Sequence, residues 1–468
     1  MACYQLSYPP GPYSSYLLLR LVLESWMLPQ EWLQMGGQQC DDCSQCIATE
    51  FTFAQAYPNT ADQKFAQHWS TWFTRDHVQQ LKSVGINTVR VPLGYWIIED
   101  LVDHRTEFYP RGGIVYLSQG LQWLKDAGIK VILGHHALPG VQTPNQMFTG
   151  RCTSNPEFYT PYNYGRALTW TAVMTALSHV HPNFSSVFAI QAVNEPITNA
   201  SMTPGYGEFQ VAFVQTVRLM EMMLGVGTAT LASSSSAGLL ESLRSLGGLT
   251  LFSASLGQAN ALVDFAGEAE LMFSSSASQA VMNALPILMN VERQLGISNM
   301  MQVPRHCNRA GLMVHNSFMD INWQNNNPPN PADAAIGPQV YDNHLYYSFG
   351  GVADANPEAY LTSICNLARA QADSAKSNWP LMFGEWALAT NFDASDAFLR
   401  DWADAQKMAY SQSAGWIFWS FRIENSSLAG DTARQWSYLE GVRRGYLTRD
   451  PAQYHNASVC DGYRSATH

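Results

Sequence analysis

Two glutamates that directly follow short apolar segments could perform paired carboxyl chemistry. Glu195 lies within residues 193–196 (VNEP), and Glu385 lies within residues 383–386 (FGEW). A retaining glycosidase needs two such groups, because one carboxylic acid protonates the leaving oxygen while the other carboxylate attacks the anomeric carbon. The two glutamates are far apart in the sequence, so only a fold that returns repeatedly to the same place could bring them together.

Other polar and aromatic residues follow apolar segments in the same way. They supply a guanidinium, an amide, imidazoles, a phenol and an indole, which could bind the hydroxyl groups and the ring of a sugar. His135 and His136 are adjacent, and successive side chains of a strand point to opposite faces, so we predict that His136 alone faces the site. The remaining candidates are Arg90, Asn194, His344, Tyr346 and Trp419.

The elements that must position these residues are strands alternating with helices. Eight apolar runs are separated by helix-like stretches, two of which end at Gly85 and Gly128. Near-continuous apolar runs are typical of parallel strands covered on both faces, and eight of them predict a (β/α)8 barrel, whose active site lies at the carboxyl ends of the strands. The predicted strands are residues 16–23, 86–93, 129–133, 187–193, 312–315, 340–345, 381–383 and 416–419.

The length of the chain exceeds what a barrel requires. A barrel of this type typically needs ~250 residues, whereas this chain has 468. We predict one barrel domain over residues 16–450, with a Ser-rich segment of about residues 227–305 inserted between strands 4 and 5. Residues 1–15 and 451–468 are then terminal extensions.

Composition and charge exclude several classes of protein. Only 13% of the residues are charged and 46% are hydrophobic, which excludes a disordered chain. The net charge of −11 argues against nucleic acid and anionic membranes, both of which attract clustered cations. Apolar runs fall short of the ~20 residues of a spanning helix, so we expect no membrane span. The aromatic content of 12% is compatible with a neutral sugar ligand.

Cysteines and asparagines bear on the compartment. The Cys40, Cys43 and Cys46 cluster lacks a fourth ligand at zinc-site spacing, so disulfides or free thiols are favoured and no metal is predicted. Four Asn-x-Ser sequences are compatible with a secretory route. Residues 16–23 lack both a preceding basic region and a following cleavage site, so they make a poor signal peptide. We therefore expect a secreted or cell-wall protein whose recorded N-terminus is incomplete.

Six segments carry a resemblance to glycoside hydrolase family five. The resemblance extends from about Leu23 to Tyr438 and implies a barrel with an acid at the fourth strand and a nucleophile at the seventh. The segments are residues 23–26 (LESW), 89–96 (VRVPLGYW), 136–140 (HALPG), 193–196 (VNEP), 343–346 (NHLY) and 383–386 (FGEW).

The family pattern implies a role for each matching residue. Glu195 becomes the general acid/base and Glu385 the nucleophile, without a metal or a cofactor. The implied substrate-binding residues are Arg90 beside the nucleophile, Asn194 at the sugar 2-hydroxyl, Tyr346 on the nucleophile, His136 and His344 around the cleaved bond, Trp419 beneath the ring and Glu24 at its hydroxyls.

Within the family, the sequence is most similar to fungal exo-β-1,3-glucanases and endo-β-1,6-glucanases. We therefore expect a monomeric retaining hydrolase of fungal cell-wall β-glucan, with the linkage and the exo or endo action open. A non-catalytic glucan-binding barrel and a diglycosidase acting on small glycosides are the alternatives. One departure is Gly134, which stands where the family usually has an Asp that supports the site.

Overall fold

Eight parallel strands close into a barrel. The computed structural model describes residues 16–18, 29–224, 226, 273–296, 313–316, 337–375, 379–424 and 426–464. Each strand pairs with the next in sequence order, and the last pairs with the first, so the predicted (β/α)8 architecture is confirmed. The strands are β1 Tyr16–Leu18, β2 Thr88–Gly94, β3 Lys130–Ala137, β4 Val187–Gln191, β5 Met313–Asn316, β6 Gln339–His344, β7 Leu381–Trp386 and β8 Trp416–Phe418.

Helices follow the strands and cover the outside of the barrel. Gly128 ends one of them in the left-handed conformation, with φ of 77°, as its position in the sequence predicts. The α-helices of the described residues are α1 Pro29–Met35, α2 Glu50–Ala56, α3 Ala61–Trp72, α4 Arg75–Ser83, α5 Gly113–Ala127, α6 Pro161–Val180, α7 Tyr206–Met223, α8 Ser275–Gln294, α9 Pro357–Cys365, α10 Arg369–Ala375, α11 Asp396–Tyr410, α12 Thr432–Trp436 and α13 Tyr438–Arg443.

Strands β2, β7 and β8 of the barrel wall are buried along their whole length. Every residue of β2 and of β7 is buried, which accounts for their continuous apolar character. The same burial includes polar residues, because Arg90 on β2 and Asp342 on β6 are both 0% exposed. Such groups are stable in a barrel interior only when they are paired. Their burial lowers the stability of the fold, so they indicate where a functional site lies.

The region between β4 and β5, where we predict the Ser-rich insertion, contains a long helix. Helix α8 lies within it and packs against α6 and α7, burying residues such as Ala284 and Leu288. Pro286 stands inside this helix. Residues 227–272 and 297–312, which include most of the Ser-rich sequence, lie outside the described residues. The predicted domain boundaries remain predictions.

Three disulfides among the described residues connect segments outside the barrel wall. Cys40 pairs with Cys46, Cys43 with Cys152, and Cys365 with Cys460, so the cysteine cluster is used in cross-links. No helix among the described residues is long and apolar enough to cross a membrane.

Candidate active site

The carboxyl ends of the strands bring most of the predicted residues together. Arg90 comes from β2, His136 from β3, Asn194 and Glu195 follow β4, and His344 ends β6. Tyr346 follows β6, Glu385 lies on β7, and Trp419 follows β8. Glu24 lies outside the described residues.

The two glutamates face each other across the imidazole of His344. Its Nδ1 lies 2.8 Å from Glu195 Oε1 and 3.4 Å from Glu385 Oε2. One oxygen of each carboxylate and the imidazole nitrogen all lie within 4.8 Å of one another. The side chain of Glu195 is 29% exposed and that of Glu385 is 5% exposed. Glu195 is therefore the more accessible of the two carboxyl groups to a ligand at the mouth of the barrel.

Glu385 is fixed by donors on both of its oxygens. Arg90 Nη1 donates to Oε1 at 2.7 Å, and the hydroxyl of Tyr346 donates to Oε2 at 2.8 Å. Burial raises the pKa of Glu385 and the charge of Glu195 adds to this, while the cations His344 and Arg90 oppose it. This carboxyl group therefore has a fixed geometry and little water around it, as a nucleophile requires.

His344 is held in its charged form by the carboxylates around it. Burial lowers its pKa, but the charges of Glu385 and Asp342, with hydrogen bonds to Asp342 and Glu195, outweigh burial and raise the pKa to about 10. At neutral pH the ring is therefore an imidazolium that donates from both nitrogens, with Nε2 lying 3.1 Å from Asp342 Oδ2.

The same three side chains have the spacing of metal ligands, with Glu195, His344 and Glu385 converging. A metal would need a neutral imidazole nitrogen, and a pKa of about 10 leaves His344 protonated at neutral pH. Arg90 adds a second buried cation, paired with Glu385. Metal binding would therefore have to displace a proton from His344. The cations that lie against the two glutamates in the structure are the side chains of His344 and Arg90.

Asn194 lies between the guanidinium and the mouth of the site. Its Oδ1 accepts a hydrogen bond from Arg90 Nη2 at 2.6 Å, which fixes the orientation of the amide. Its Nδ2 is buried without a hydrogen-bond partner among the described residues. A buried donor of this kind is costly unless a ligand accepts from it, so Nδ2 is available to a sugar hydroxyl.

The adjacent histidines of β3 point to opposite faces of the barrel wall. His136 stacks on Trp419 with ring centroids 5.4 Å apart, which places it on the site side. His135 stacks on Trp170 of α6 at 4.0 Å, and burial lowers its pKa well below the ordinary value. The peptide bond between Trp419 and Ser420 is cis.

The turn that carries Glu195 has an unusual backbone conformation. Glu195 has φ of +41°, a left-handed value that non-glycine residues rarely adopt and that neighbouring contacts must enforce. Gln142 supplies part of this constraint, because its Nε2 donates to the carbonyls of His136 at 2.7 Å and Asn194 at 2.9 Å. Thr143 donates its hydroxyl to the carbonyl of Glu195.

Tyr159 also constrains the turn that carries Glu195, together with Gln142 and Thr143. Its hydroxyl donates to the carbonyl of Gln142 and accepts from the amide of Ile197, each at 2.8 Å. Sequence reasoning missed Gln142, Thr143 and Tyr159 because they lie in a loop and at a helix approach, where no periodicity marks them. The positive φ of Glu195 is the signal that identifies them.

We expect Gln142→Leu to lower kcat on the order of 10²-fold with a smaller change in KM, because a small displacement of a reacting group has an effect of that size. The leucine removes both donors that hold β3 to the Glu195 turn. Steady-state kinetics measures this, with the exposed Gln63→Leu on α3 as the matched control. Equal kcat values in the two variants would contradict the positioning of Glu195 by Gln142.

We expect the acidic limb of kcat/KM to lie above pH 4.5, the ordinary pKa of a glutamate, because the predicted nucleophile Glu385 would have to be ionised to attack and its pKa is raised. His344→Gln removes a cation that favours the ionised form, so this limb should move to still higher pH. The exposed His104→Gln is the control and should leave the limb in place. A limb that moves to lower pH in His344→Gln would show that another group sets it.

An aromatic surface borders the site beside Tyr346. Phe349, 72% exposed, contacts the Tyr346 ring at a centroid distance of 5.6 Å, and Trp436 contacts the same ring at 5.5 Å. An exposed large aromatic side chain at the mouth of a cleft offers an apolar face for a sugar ring. Sequence reasoning missed these residues because neither follows a strand directly.

Comparison with known proteins gives a family match that covers most of the chain. Residues 54–425 match the model of the family described as Cellulase (glycosyl hydrolase family 5). The chain is 28% identical over 453 residues to glucan endo-1,6-beta-glucosidase B of Emericella nidulans, covering 94% of this chain and 85% of that protein. A probable glucan 1,3-beta-glucosidase A of Aspergillus fumigatus is 33% identical over 178 residues, covering 38% and 39%.

Solved structures share the fold. The rutinosidase from Aspergillus niger aligns with a TM-score of 0.57 at 16% identity, covering 95% of this chain and 99% of that one. The matched segment contains both glutamates and every predicted site residue except Glu24. The chain therefore belongs to glycosyl hydrolase family 5 and is a glycoside hydrolase.

Proposed function

We propose that this glycoside hydrolase is a retaining β-glucan hydrolase, with Glu195 as acid/base and Glu385 as nucleophile. The observation that carries the proposal is the separation of the two carboxylates, whose facing oxygens lie within 4.8 Å of each other. Retaining enzymes place their carboxyl groups roughly 5–5.5 Å apart, whereas inverting enzymes leave a gap of about 6.5–9.5 Å for a water.

The first step forms a covalent intermediate. Glu385, aligned by Arg90 and Tyr346, attacks the anomeric carbon while the bond to the leaving oxygen breaks and Glu195 gives that oxygen its proton. His344 lies between the two carboxylates, and its positive charge favours the ionised form of Glu385. Asn194 offers its buried Nδ2 to the sugar 2-hydroxyl, a contact that strengthens in the transition state.

The second step releases the sugar. Glu195, now a carboxylate, removes a proton from water, and the resulting hydroxide oxygen attacks the anomeric carbon as the ester bond to Glu385 breaks. Glu385 leaves as a carboxylate and Glu195 regains its proton, so the site returns to its starting state. Two inversions at one carbon retain the β configuration.

We propose β-1,6-glucan as the preferred substrate. Relatives named as endo-1,6-beta-glucosidases match over 90% or more of this chain, whereas two named as probable glucan 1,3-beta-glucosidase A match over 38%. The exposed ring of Phe349, which contacts Tyr346 and Trp436, offers a neutral polysaccharide an apolar face. The three disulfides among the described residues favour an oxidising compartment, so we propose secretion to the cell wall. We further propose that the protein acts as a monomer.

The product profile tests the substrate. The purified protein is incubated with pustulan (β-1,6), laminarin (β-1,3) and linear oligosaccharides of each linkage, and the products are separated by size. Gentio-oligosaccharides from pustulan, with slower release from laminarin, support the proposal. Preferential cleavage of laminarin would assign the β-1,3 linkage instead.

Two further assays address the alternative functions. Turnover of aryl diglycosides at rates above those on either polymer would identify a diglycosidase. A 2-deoxy-2-fluoroglucosyl fluoride should label Glu385 covalently. Its 2-fluorine slows both formation and hydrolysis of the intermediate, whereas departure of the activated anomeric fluoride speeds formation alone, so the glycosyl-enzyme accumulates. A protein that binds glucan but is neither labelled nor active would be a non-catalytic binding barrel.

A further inference from the structure

A chain of buried polar groups crosses the barrel beneath the two glutamates. Arg90 Nε donates to Gln191 Oε1 at 2.8 Å, and Gln191 Nε2 lies 3.5 Å from Asp342 Oδ2. The same Asp342 oxygen accepts from His344 Nε2 at 3.1 Å. Gln191 on β4 and Asp342 on β6 are both 0% exposed, so neither can contact the substrate directly.

Two glycines provide the space for this chain. A Cβ at position 134 on β3 would lie 2.7 Å from Gln191 Oε1 and 3.2 Å from Arg90 Nε, closer than ordinary contacts allow. A Cβ at position 384 on β7 would lie 1.9 Å from Asp342 Oδ1. The space above Gly134 is thus filled by the carboxamide of Gln191 from the neighbouring strand.

This arrangement bears on the loss of support that we expect from Gly134, where the family usually has an Asp. A carboxylate missing at that position would leave Arg90 Nε without its support, but Gln191 Oε1 provides an acceptor there. Because the replacement is a neutral amide, it also donates toward Asp342, which a carboxylate could not do. A negative group at 191 would instead face Asp342 in the barrel interior, where like charges are costly.

Each end of the polar chain acts on one part of the reacting machinery. The three guanidinium nitrogens of Arg90 bind Gln191, Glu385 and Asn194 separately, so their planar arrangement fixes the two latter side chains relative to each other.

At the other end, Asp342 holds the imidazole of His344 in the plane in which Nδ1 meets Glu195. An imidazole bound at both nitrogens cannot rotate about its ring axis without losing one of these bonds.

We propose that Gln191 and Asp342 are positioning residues, which tie Arg90 to His344 and thereby set the spacing of Glu385 and Glu195; this rests on the proposed two-glutamate mechanism. Gly134 and Gly384 are the positions at which the backbone must remain without a side chain for the connection to exist.

The test moves the hydrogen-bond acceptor of Arg90 Nε from position 191 on β4 to position 134 on β3. Gln191→Ala removes the acceptor of Arg90 Nε, and Gly134→Asp forces a side chain into the space that Gln191 occupies. The double variant Gly134→Asp/Gln191→Ala places a carboxylate in the emptied space. Asp342→Asn, which keeps its shape, tests the other end, with the exposed Asp354→Asn as its control.

The readouts are kcat and KM on glucan, the rate of labelling by the fluoroglucosyl fluoride, and Tm. We expect Gln191→Ala, Gly134→Asp and Asp342→Asn each to lower kcat and the labelling rate about 10- to 10²-fold. KM should change less, because these substitutions displace reacting groups and leave the substrate contacts in place. The double variant should recover roughly 10-fold of the loss in Gln191→Ala, which a merely structural role would not produce.

The outcomes separate the two proposals. Wild-type protein that neither cleaves glucan nor is labelled contradicts the proposed function itself. Active wild-type protein with Gln191→Ala and Asp342→Asn at wild-type rates overturns the positioning roles alone. A double variant that folds but is as slow as Gln191→Ala overturns the assignment of Gln191. If the Gly134 variants fail to fold, the rates of Gln191→Ala and Asp342→Asn still decide whether the two residues are positioning residues.

Discussion

Glu385→Gln is expected to lower kcat about 10⁴-fold or more, because the amide cannot form the glycosyl ester and nucleophile loss in other hydrolases has effects of this order. The substitution preserves the shape of the side chain, and its oxygen can still accept from Arg90 or from Tyr346. We therefore expect KM and Tm to change far less than kcat. Turnover of glucan and of an activated aryl glycoside measures the effect.

Two comparisons make the result specific to the nucleophile. Glu358→Gln, at an exposed position on α9, makes the same chemical change away from the site and should keep wild-type activity. In Glu385→Ala, added azide has room to attack the anomeric carbon directly, and a single inversion should give the α-glycosyl azide. Wild-type turnover in Glu385→Gln, or a β-glycosyl azide from Glu385→Ala, would contradict the assignment.

Glu195→Gln is expected to lower kcat on polymeric glucan about 10²- to 10⁴-fold, the usual contribution of a general acid/base. The loss should depend on the leaving group, because a dinitrophenolate departs without receiving a proton. Formation of the intermediate from such a substrate should therefore stay fast, while its hydrolysis becomes slow because no base activates the water. A burst of dinitrophenolate followed by slow turnover is the expected signature.

Azide again separates the two glutamates. In Glu195→Ala it should attack the intermediate on Glu385, restore turnover of the dinitrophenyl glycoside and give the β-glycosyl azide, since two inversions occur. His344 Nδ1 loses one acceptor in this variant but remains 3.4 Å from Glu385 Oε2, so the imidazole keeps a carboxylate partner. Equal loss on dinitrophenyl and polymeric substrates, without a burst, would point to a structural role for Glu195.

The strands were predictable from the sequence because parallel strands buried on both faces are continuously apolar. All eight predicted positions contain a strand, although the boundaries differ. Strand β3 reaches Ala137, beyond the predicted end at 133. Gly134, His135 and His136 are buried, and Gly134, His135 and Ala137 pair with β2. Burial that tertiary packing imposes cannot be read from residue polarity.

Several site residues had a local signal and others had none. Asp342 and His344 are two positions apart on β6, and alternate residues of a strand share a face. This spacing is a local signal, although sequence reasoning named only His344. Gln142 and Tyr159 could not be found this way, because each reaches the Glu195 turn from a different loop. Their relevance depends on side-chain directions that only the packed structure defines.

What the sequence determined by itself was the architecture and the chemical groups of the site. Eight apolar segments specify a barrel, and a barrel directs the residues at their carboxyl ends into one place, whatever their distance along the chain. Only the tertiary structure decided how those groups are supported. The carboxamide of Gln191 fills the space above Gly134 because two strands lie side by side there. The sequence of β3 does not show that a residue of β4 occupies the space at Gly134, and the sequence of β4 does not show which space Gln191 fills.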